Sequence, residues 1–269
     1  MSMRVCPLYS GSSGNALFVR DGETRLLVDA GLSGRTITDA LGQIGEDPAA
    51  LTAILVTHEH ADHIKGAGVL SRKYHLPVYA TAGTWRAMEG KVGKIDPGCR
   101  IEFDKSEDFY LGGLGIVPFA IPHDAADPVG YRIFSGDVSA AVCTDLGRMT
   151  GSVLNALAGT ELVLLESNHD PDMLKANPHY TYALKQRILG IHGHLSNDQC
   201  AQAMLQLLER GTHSFILGHL SGENNTPELA MRVNEGTMEM EGVALGKDIF
   251  IDLARRDEVG NIYEIGADL

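Results

Sequence analysis

The segment Thr57-His58-Glu59-His60-Ala61-Asp62-His63 places three imidazoles and the Asp62 carboxylate within six residues. Neutral imidazole and carboxylate are the side chains that hold zinc and similar divalent ions. In extended chain, residues i and i+2 face the same way, so His58 and His60 can grip one ion. A helix over 64–74 would put Asp62 and His63 at its start, within reach of a second ion. A pair of ions a few ångströms apart lowers the pKa of a shared water and stabilises charge developing on a carbonyl or phosphoryl oxygen. The expected chemistry is therefore hydrolysis by a dimetal-bound hydroxide, with Asp62 orienting that nucleophile. The alternative, a solvated His-rich loop, leaves this density of ligands unexplained.

Such a loop needs rigid elements behind it. Short apolar runs of strand type recur at 26–29, 53–57, 77–81, 116–121, 129–134, 140–144, 161–166, 214–217 and 248–252, most followed by Gly, Asp or His. Helices alternate with them. Ser196 and Gln199 have capping-box spacing before an apolar face at Cys200, Ala203, Met204, Leu207 and Leu208, which Gly211 stops. Thr226-Pro-Glu opens a further helix expected to close near Gly236. Strand and helix mixed along the whole chain read as α/β. A length of 269 residues with no linker, repeat or low-complexity tract favours one domain over 1–269.

The HxHxDH motif after an apolar strand resembles the signature of the metallo-β-lactamase superfamily, and the resemblance runs over nearly the whole chain. It implies an αββα sandwich with a two-metal site. It also implies roles for the later residues. Asp29, ending its strand before Ala-Gly, supports the ligand loop from behind. His123 in Pro122-His-Asp-Ala ligates the first metal, with His169 and His179 as weaker competitors. Asp145 in Cys143-Thr-Asp-Leu-Gly bridges both metals, and His219 in Leu217-Gly-His-Leu-Ser ligates the second. The ligand set becomes His58, His60, Asp62, His63, His123, Asp145 and His219, for two divalent ions, zinc or manganese first and iron also compatible.

Three segments turn the expectation toward phosphodiesters. Ser10-Gly-Ser-Ser-Gly-Asn15 is a small polar loop that could cradle a phosphate through Ser12, Ser13 and Asn15, although a plain turn has the same composition. Glu166-Ser-Asn-His169-Asp follows a strong strand, with His169 a further phosphate candidate, and Gly193-His-Leu-Ser196 opens the capped helix. Together they resemble the phosphodiesterase branch of the superfamily, which implies His194 as general acid and Glu166 as its orienting partner. An alkoxide leaving group needs a proton, and an imidazole can supply one near neutral pH. SGSSGN, LLVDAGLS, THEHADHIKG, PHDAADPVGY, LESNHD, GHLSND and LGHLSGENN are similar to segments of the YycJ (WalJ) family. That resemblance implies a 5′-to-3′ DNA exonuclease, acting in repair. Asp145 and His219 stand only 74 residues apart, which leaves no room for a large inserted nuclease domain.

The net charge is −13, against a protein that coats nucleic acid through a broad basic surface. Phosphate affinity is expected from the metals and a few local cations: Lys65, Arg72, Lys73 and Arg86 around the first ligand loop, and Lys175, Lys185 and Arg187 near Glu166. No apolar run has the length of a membrane span, and the first residues lack a signal peptide's apolar region. Four scattered cysteines without a CxxC pair fit the reducing cytoplasm, and Cys143 reads as a buried core thiol. Two other activities use the same residues: a small-molecule phosphodiesterase acting on cyclic or nucleotide phosphates, and an acyl hydrolase for thioesters or lactones.

Overall fold

The computed structural model describes residues 2–266. The chain gathers into two compact units, one holding the residues up to 120, 125–139 and from 255 on, the other 121–124 and 140–254. Elements are numbered in chain order.

The first unit carries β1 (Met3–Tyr9), β2 (Ala16–Asp21), β3 (Thr24–Val28), β4 (Ala53–Leu55), β5 (Val78–Thr81) and β6 (Arg100–Phe103). Its helices are α1 (Gly34–Gln43), α2 (Ala61–Ile64), α3 (Ala67–Tyr74) and α4 (Ala82–Met88). An antiparallel hairpin joins β1 to β2 and β2 to β3, after which β3, β4, β5 and β6 run parallel. Parallel neighbours need a crossover, and α1, α3 and α4 supply the three. A separate antiparallel run joins β7 (Phe109–Leu111), β8 (Leu114–Ala120) and β9 (Val129–Ser135).

The second unit is built on four parallel strands, β10 (Val138–Cys143), β11 (Leu162–Glu166), β12 (Ser214–Gly218) and β13 (Phe250–Leu253). Helix α5 (Gly151–Leu157), then α6 (Pro171–Ala176), α7 (Tyr182–Leu189) and α8 (Asn197–Leu208), and finally α9 (Pro227–Met240) lie in the successive crossovers. Strand β14 (Tyr263–Ile265) returns to the first unit beside β1.

Each unit has its own apolar core. Phe18, Leu27, Ile37, Ile54, Leu70 and Val78 are buried in the first; Leu165, Cys200, Met204, Phe215 and Ile216 are buried in the second. Full burial of a side chain of this size stabilises by about 1.5–3 kcal/mol. The cores fix the strands, and the strand ends carry the chemistry. Asp29 follows β3, the His58–His63 loop follows β4, Asp145 follows β10, Glu166 ends β11 and His219 follows β12. Asp29, Asp145 and His219 have φ of 63°, 58° and 54°, left-handed backbone that non-glycine residues rarely adopt.

All nine apolar runs are strands, with ends shifted by a few residues. Strands β1, β2, β6, β7 and β14 were not anticipated. The helix expected over 64–74 is divided: α2 holds Asp62 and His63, and the chain breaks at Lys65–Gly66 before α3. There the Gly66 N–H donates to Ala30 O at 2.7 Å. The capping box at Ser196 and Gln199 forms as expected. Helix α9 runs four residues beyond Gly236, to Met240. A mid-helix glycine costs about 1 kcal/mol, and the buried Asn234 and Met238 on either side of it hold the helix in register.

Candidate metal centre

In the first unit the ligand loop is fastened from beneath. Asp29 Oδ1 accepts from Thr57 N at 2.8 Å, and Oδ2 accepts from Thr57 Oγ1 at 2.8 Å and His63 Nδ1 at 2.7 Å. Because a carboxylate only accepts, His63 carries its proton on Nδ1 and turns an Nε2 lone pair outward. Thr57 spends its one proton on Asp29, so His58 Nδ1, 3.0 Å away, donates to the hydroxyl and likewise keeps Nε2 as the ligand atom. His58 Nε2 stands 3.0 Å from His60 Nδ1. Two nitrogens on one tetrahedral zinc, at bond lengths of about 2.0–2.1 Å, lie at about this separation. Asp62 Oδ2 lies 3.5 Å from His63 Nε2. The donor set fits a divalent ion.

The backbone locks this loop as well. Asn15 N donates to Asp62 O and Ala30 N to His63 O, both at 2.8 Å. Gly31 must be glycine, because a Cβ there would meet Asp62 O at 1.6 Å. Glu59 does not join the ligands; its Oε1 accepts from Ala126 N at 2.9 Å.

The phosphate candidates of the glycine-serine loop separate. Asn15 Oδ1 accepts from Gly11 N at 3.0 Å and Nδ2 lies 3.1 Å from His63 Nε2, so this side chain sits among the ligands. Ser12 and Ser13 are exposed, and Ser13 Oγ accepts from Arg256 Nε at 3.2 Å.

In the second unit one carboxylate oxygen is flanked by two imidazoles. Asp145 Oδ1 lies 3.6 Å from His123 Nε2 and 3.5 Å from His219 Nε2. His123 Nδ1 donates to Gly193 O at 3.2 Å, which fixes the tautomer and directs Nε2 to Asp145. Burial pushes the His123 imidazole down, outweighing the neighbouring Asp145 charge, so it is held neutral, as a ligand must be.

Glu166 lies fully buried at the centre of this group. Its Oε1 accepts from His194 Nδ1 and His219 Nδ1, each at 2.8 Å, and its Oε2 from Leu146 N at 2.8 Å and Leu195 N at 3.1 Å. Burial pushes this carboxyl up, but the two imidazoles outweigh it and hold Glu166 ionised. His194 answers in kind: burial pushes it down, the Glu166 charge and hydrogen bond pull it up, and the net shift is upward. His194 keeps 20% of its side chain exposed, so it can meet a substrate.

A buried amide network stands behind these loops, and sequence reasoning missed it. Asn225 Nδ2 donates to Ser167 O at 3.0 Å and Asn197 Oδ1 at 2.8 Å, and Asn197 Nδ2 returns a bond to Asn225 Oδ1 at 3.0 Å. Asn168 Nδ2 holds His219 O at 2.8 Å. The signal was present in the asparagines of Ser167-Asn168, Ser196-Asn197 and Asn224-Asn225, each just past a strand or at a helix start.

The weaker candidates resolve differently. His169 is buried, neither ring nitrogen has a hydrogen-bond partner among the described residues, and burial pushes it down to about 4. His179 is exposed, with its N–H on Asn177 Oδ1. Lys175 pairs with Asp172, Lys185 Nζ donates to Lys175 O, and Arg187 pairs with Asp124, so the cations expected near Glu166 are engaged within the chain. Cys143 is a fully buried thiol pushed up by burial. No helix among the described residues is long and apolar enough to cross a membrane.

Strand-end carboxylates and imidazoles grouped in this manner define a class, the metallo-β-lactamase-fold hydrolases. Residues 24–219 match the family described as the β-lactamase superfamily domain. Among solved structures, the metallo-β-lactamase-fold protein YhfI from Bacillus subtilis superposes with a TM-score of 0.71 at 16% identity, covering 98% of this chain and 100% of that one. The chain is also 41% identical over 260 residues to the exodeoxyribonuclease WalJ of Streptococcus pneumoniae serotype 2 (strain D39), spanning 96% of both. It is 38% identical over 247 residues to the exodeoxyribonuclease YycJ of Bacillus anthracis, spanning 92% of this chain and 93% of the relative. The chain belongs to the β-lactamase superfamily and, within it, to the WalJ/YycJ family.

Proposed function

We propose that the chain is a metal-dependent phosphodiester hydrolase, a 5′-to-3′ DNA exonuclease. The observation that carries the reading is His194 held on the buried carboxylate of Glu166 at 2.8 Å, with Asp145 Oδ1 3.7 Å from the same nitrogen. Acyl hydrolysis of a thioester has little need of such a proton donor, whereas expulsion of a sugar alkoxide requires one. The two exodeoxyribonuclease relatives supply the substrate class.

His58, His60, Asp62, His63, His123, Asp145 and His219 would hold two divalent ions, zinc or manganese. When bound, these supply Lewis-acid stabilisation of the phosphoryl oxygens and acidify water. The chain's own groups do the rest. Asp62 orients the attacking water, and Asp29 fixes the His63 tautomer. Glu166 holds His194 protonated, and His194 Nε2 gives its proton to the leaving deoxyribose oxygen. Ser12, Ser13 and His169 remain candidates for contact with flanking phosphates. A single working domain is part of this reading, supported by a family match whose span runs through both compact units. Cytoplasmic residence is another part, supported by four unpaired, buried cysteines and a DNA substrate.

The test is end-labelled linear DNA incubated with the metal-loaded protein and with His194→Ala. Shortening from the 5′ ends that the variant lacks is the expected result. Inert DNA with turnover of bis(p-nitrophenyl) phosphate would reassign the chain to small phosphodiesters, and turnover of thioester or lactone reporters alone would reassign it to acyl chemistry.

A further inference from the structure

In a chain of net charge −13, residues 64–100 hold seven cations and two carboxylates, a local excess of +5. The seven are Lys65, Arg72, Lys73, Arg86, Lys91, Lys94 and Arg100, and all are exposed. Among the described residues none of them pairs with a carboxylate, whereas Arg4, Arg20 and Arg25 elsewhere in the same unit converge on Glu46. An unneutralised basic stripe on an acidic molecule repays its self-repulsion only against an external polyanion.

The stripe is organised. Arg72 on α3 donates from Nη1 to Val92 O and Lys94 O, both at 3.0 Å, folding the loop that carries Lys91 and Lys94 onto the helix. That approach needs Gly68, where a Cβ would sit 1.8 Å from Val92 O. Lys91 Nζ reaches Glu59 O at 3.5 Å, so the stripe begins on the backbone of the His58–His63 loop itself. It ends at Arg100, stacked 5.0 Å from the Trp85 ring beside a hollow of about 400 Å³ that Lys94 also lines.

We infer that this face, α3, α4 and the 89–96 loop, is the track for the nucleic-acid strand, holding the phosphates that lie beyond the scissile one. The inference rests on the nuclease reading and adds where the substrate runs. It enlarges the small cation footprint expected from the sequence to several phosphates on one side of the ligand loop. Each phosphate contact contributes about 0.7–0.9 to the slope of log affinity against log salt.

The experiment compares the metal-loaded wild type with Lys73→Glu/Arg86→Glu/Lys94→Glu, three positions whose side chains donate no hydrogen bond to the ligand loop or to the 89–96 loop. End-labelled DNA of about 30 nucleotides and bis(p-nitrophenyl) phosphate serve as substrates. The triple variant should lose at least about 30-fold in kcat/KM on DNA near 0.1 M salt, with a salt slope shallower by about 2–3, while turnover of the small ester stays within twofold. The corresponding alanine variant, milder for folding, should fall between. Unchanged kcat/KM and salt slope on DNA that the wild type does cut would overturn the track and leave the nuclease reading standing. A wild type that cleaves the small ester but no DNA would overturn both.

Discussion

His194 and His219 hang from the same oxygen: Glu166 Oε1 accepts from the Nδ1 of each at 2.8 Å. A residue expected to orient a proton donor thus also orients a metal-ligand candidate. Glu166→Gln should therefore damage two functions together. We expect turnover to fall by two orders of magnitude or more and metal affinity about 10–100-fold. Loss of turnover with full metal retention, measured by elemental analysis after dialysis, would confine Glu166 to His194.

The pH dependence follows from the upward shift of His194. A general acid works while protonated, so kcat/KM on a phosphodiester should hold below its pKa and decline as pH rises through it. Since Glu166 raises that pKa above the ordinary value of 6.5, the decline lies to the alkaline side of 6.5. The His194→Ala variant should be slow and lack this alkaline limb; a limb unchanged in the variant would assign the titration to another group.

Asp145 stands between two imidazoles, and its replacement should be felt at both metal positions. Asp145→Ala should bind fewer than one ion per chain under conditions that load the wild type with two. Two tightly held ions in the variant would remove its bridging role.

Asn225 makes its bonds as a buried side chain, only 5% exposed. Leaving Ser167 O and the Asn197 amide unsatisfied should cost about 2–4 kcal/mol. Urea unfolding of Asn225→Leu tests this, and a midpoint equal to the wild type would show that the network relaxes around the loss.

His169 poses the opposite case. Its imidazole is buried with no hydrogen-bond partner among the described residues, so His169→Leu should leave the fold as stable or up to about 1 kcal/mol more so. If turnover on DNA drops in that stable variant, the residue serves the substrate; equal turnover would leave it as packing.

Much of this was legible in the residues. The His58–His63 motif declares its chemistry by type and spacing alone, and the strand-end positions of Asp29, Asp145 and His219 follow from apolar runs that stop abruptly. What escaped notice depends on partners distant in sequence. Strands β1 and β14 are adjacent only because the chain returns after more than two hundred residues. The Asn197–Asn225 pairing joins two helix starts across a strand. The basic stripe is half legible in the sequence: Lys65, Arg72, Lys73 and Arg86 stand around the ligand loop, while Lys91 and Lys94 join them because Arg72 folds the 89–96 loop against α3. Sequence proximity to Glu166 misled in the other direction, since Lys175 and Arg187 are tied to Asp172 and Asp124.

The left-handed backbone at Asp29, Asp145 and His219 sets durability against work. Glycine occupies that conformation without the roughly 1–2 kcal/mol that a Cβ incurs, so at Asp145 the most comfortable residue for the chain is the one that can do nothing, whereas the buried His219 imidazole offsets its strain through its bond to Glu166. Selection for heat tolerance alone, with no demand for turnover, would be expected to drift toward glycine at Asp145, and a variant library sorted for melting temperature would enrich its own inactivation.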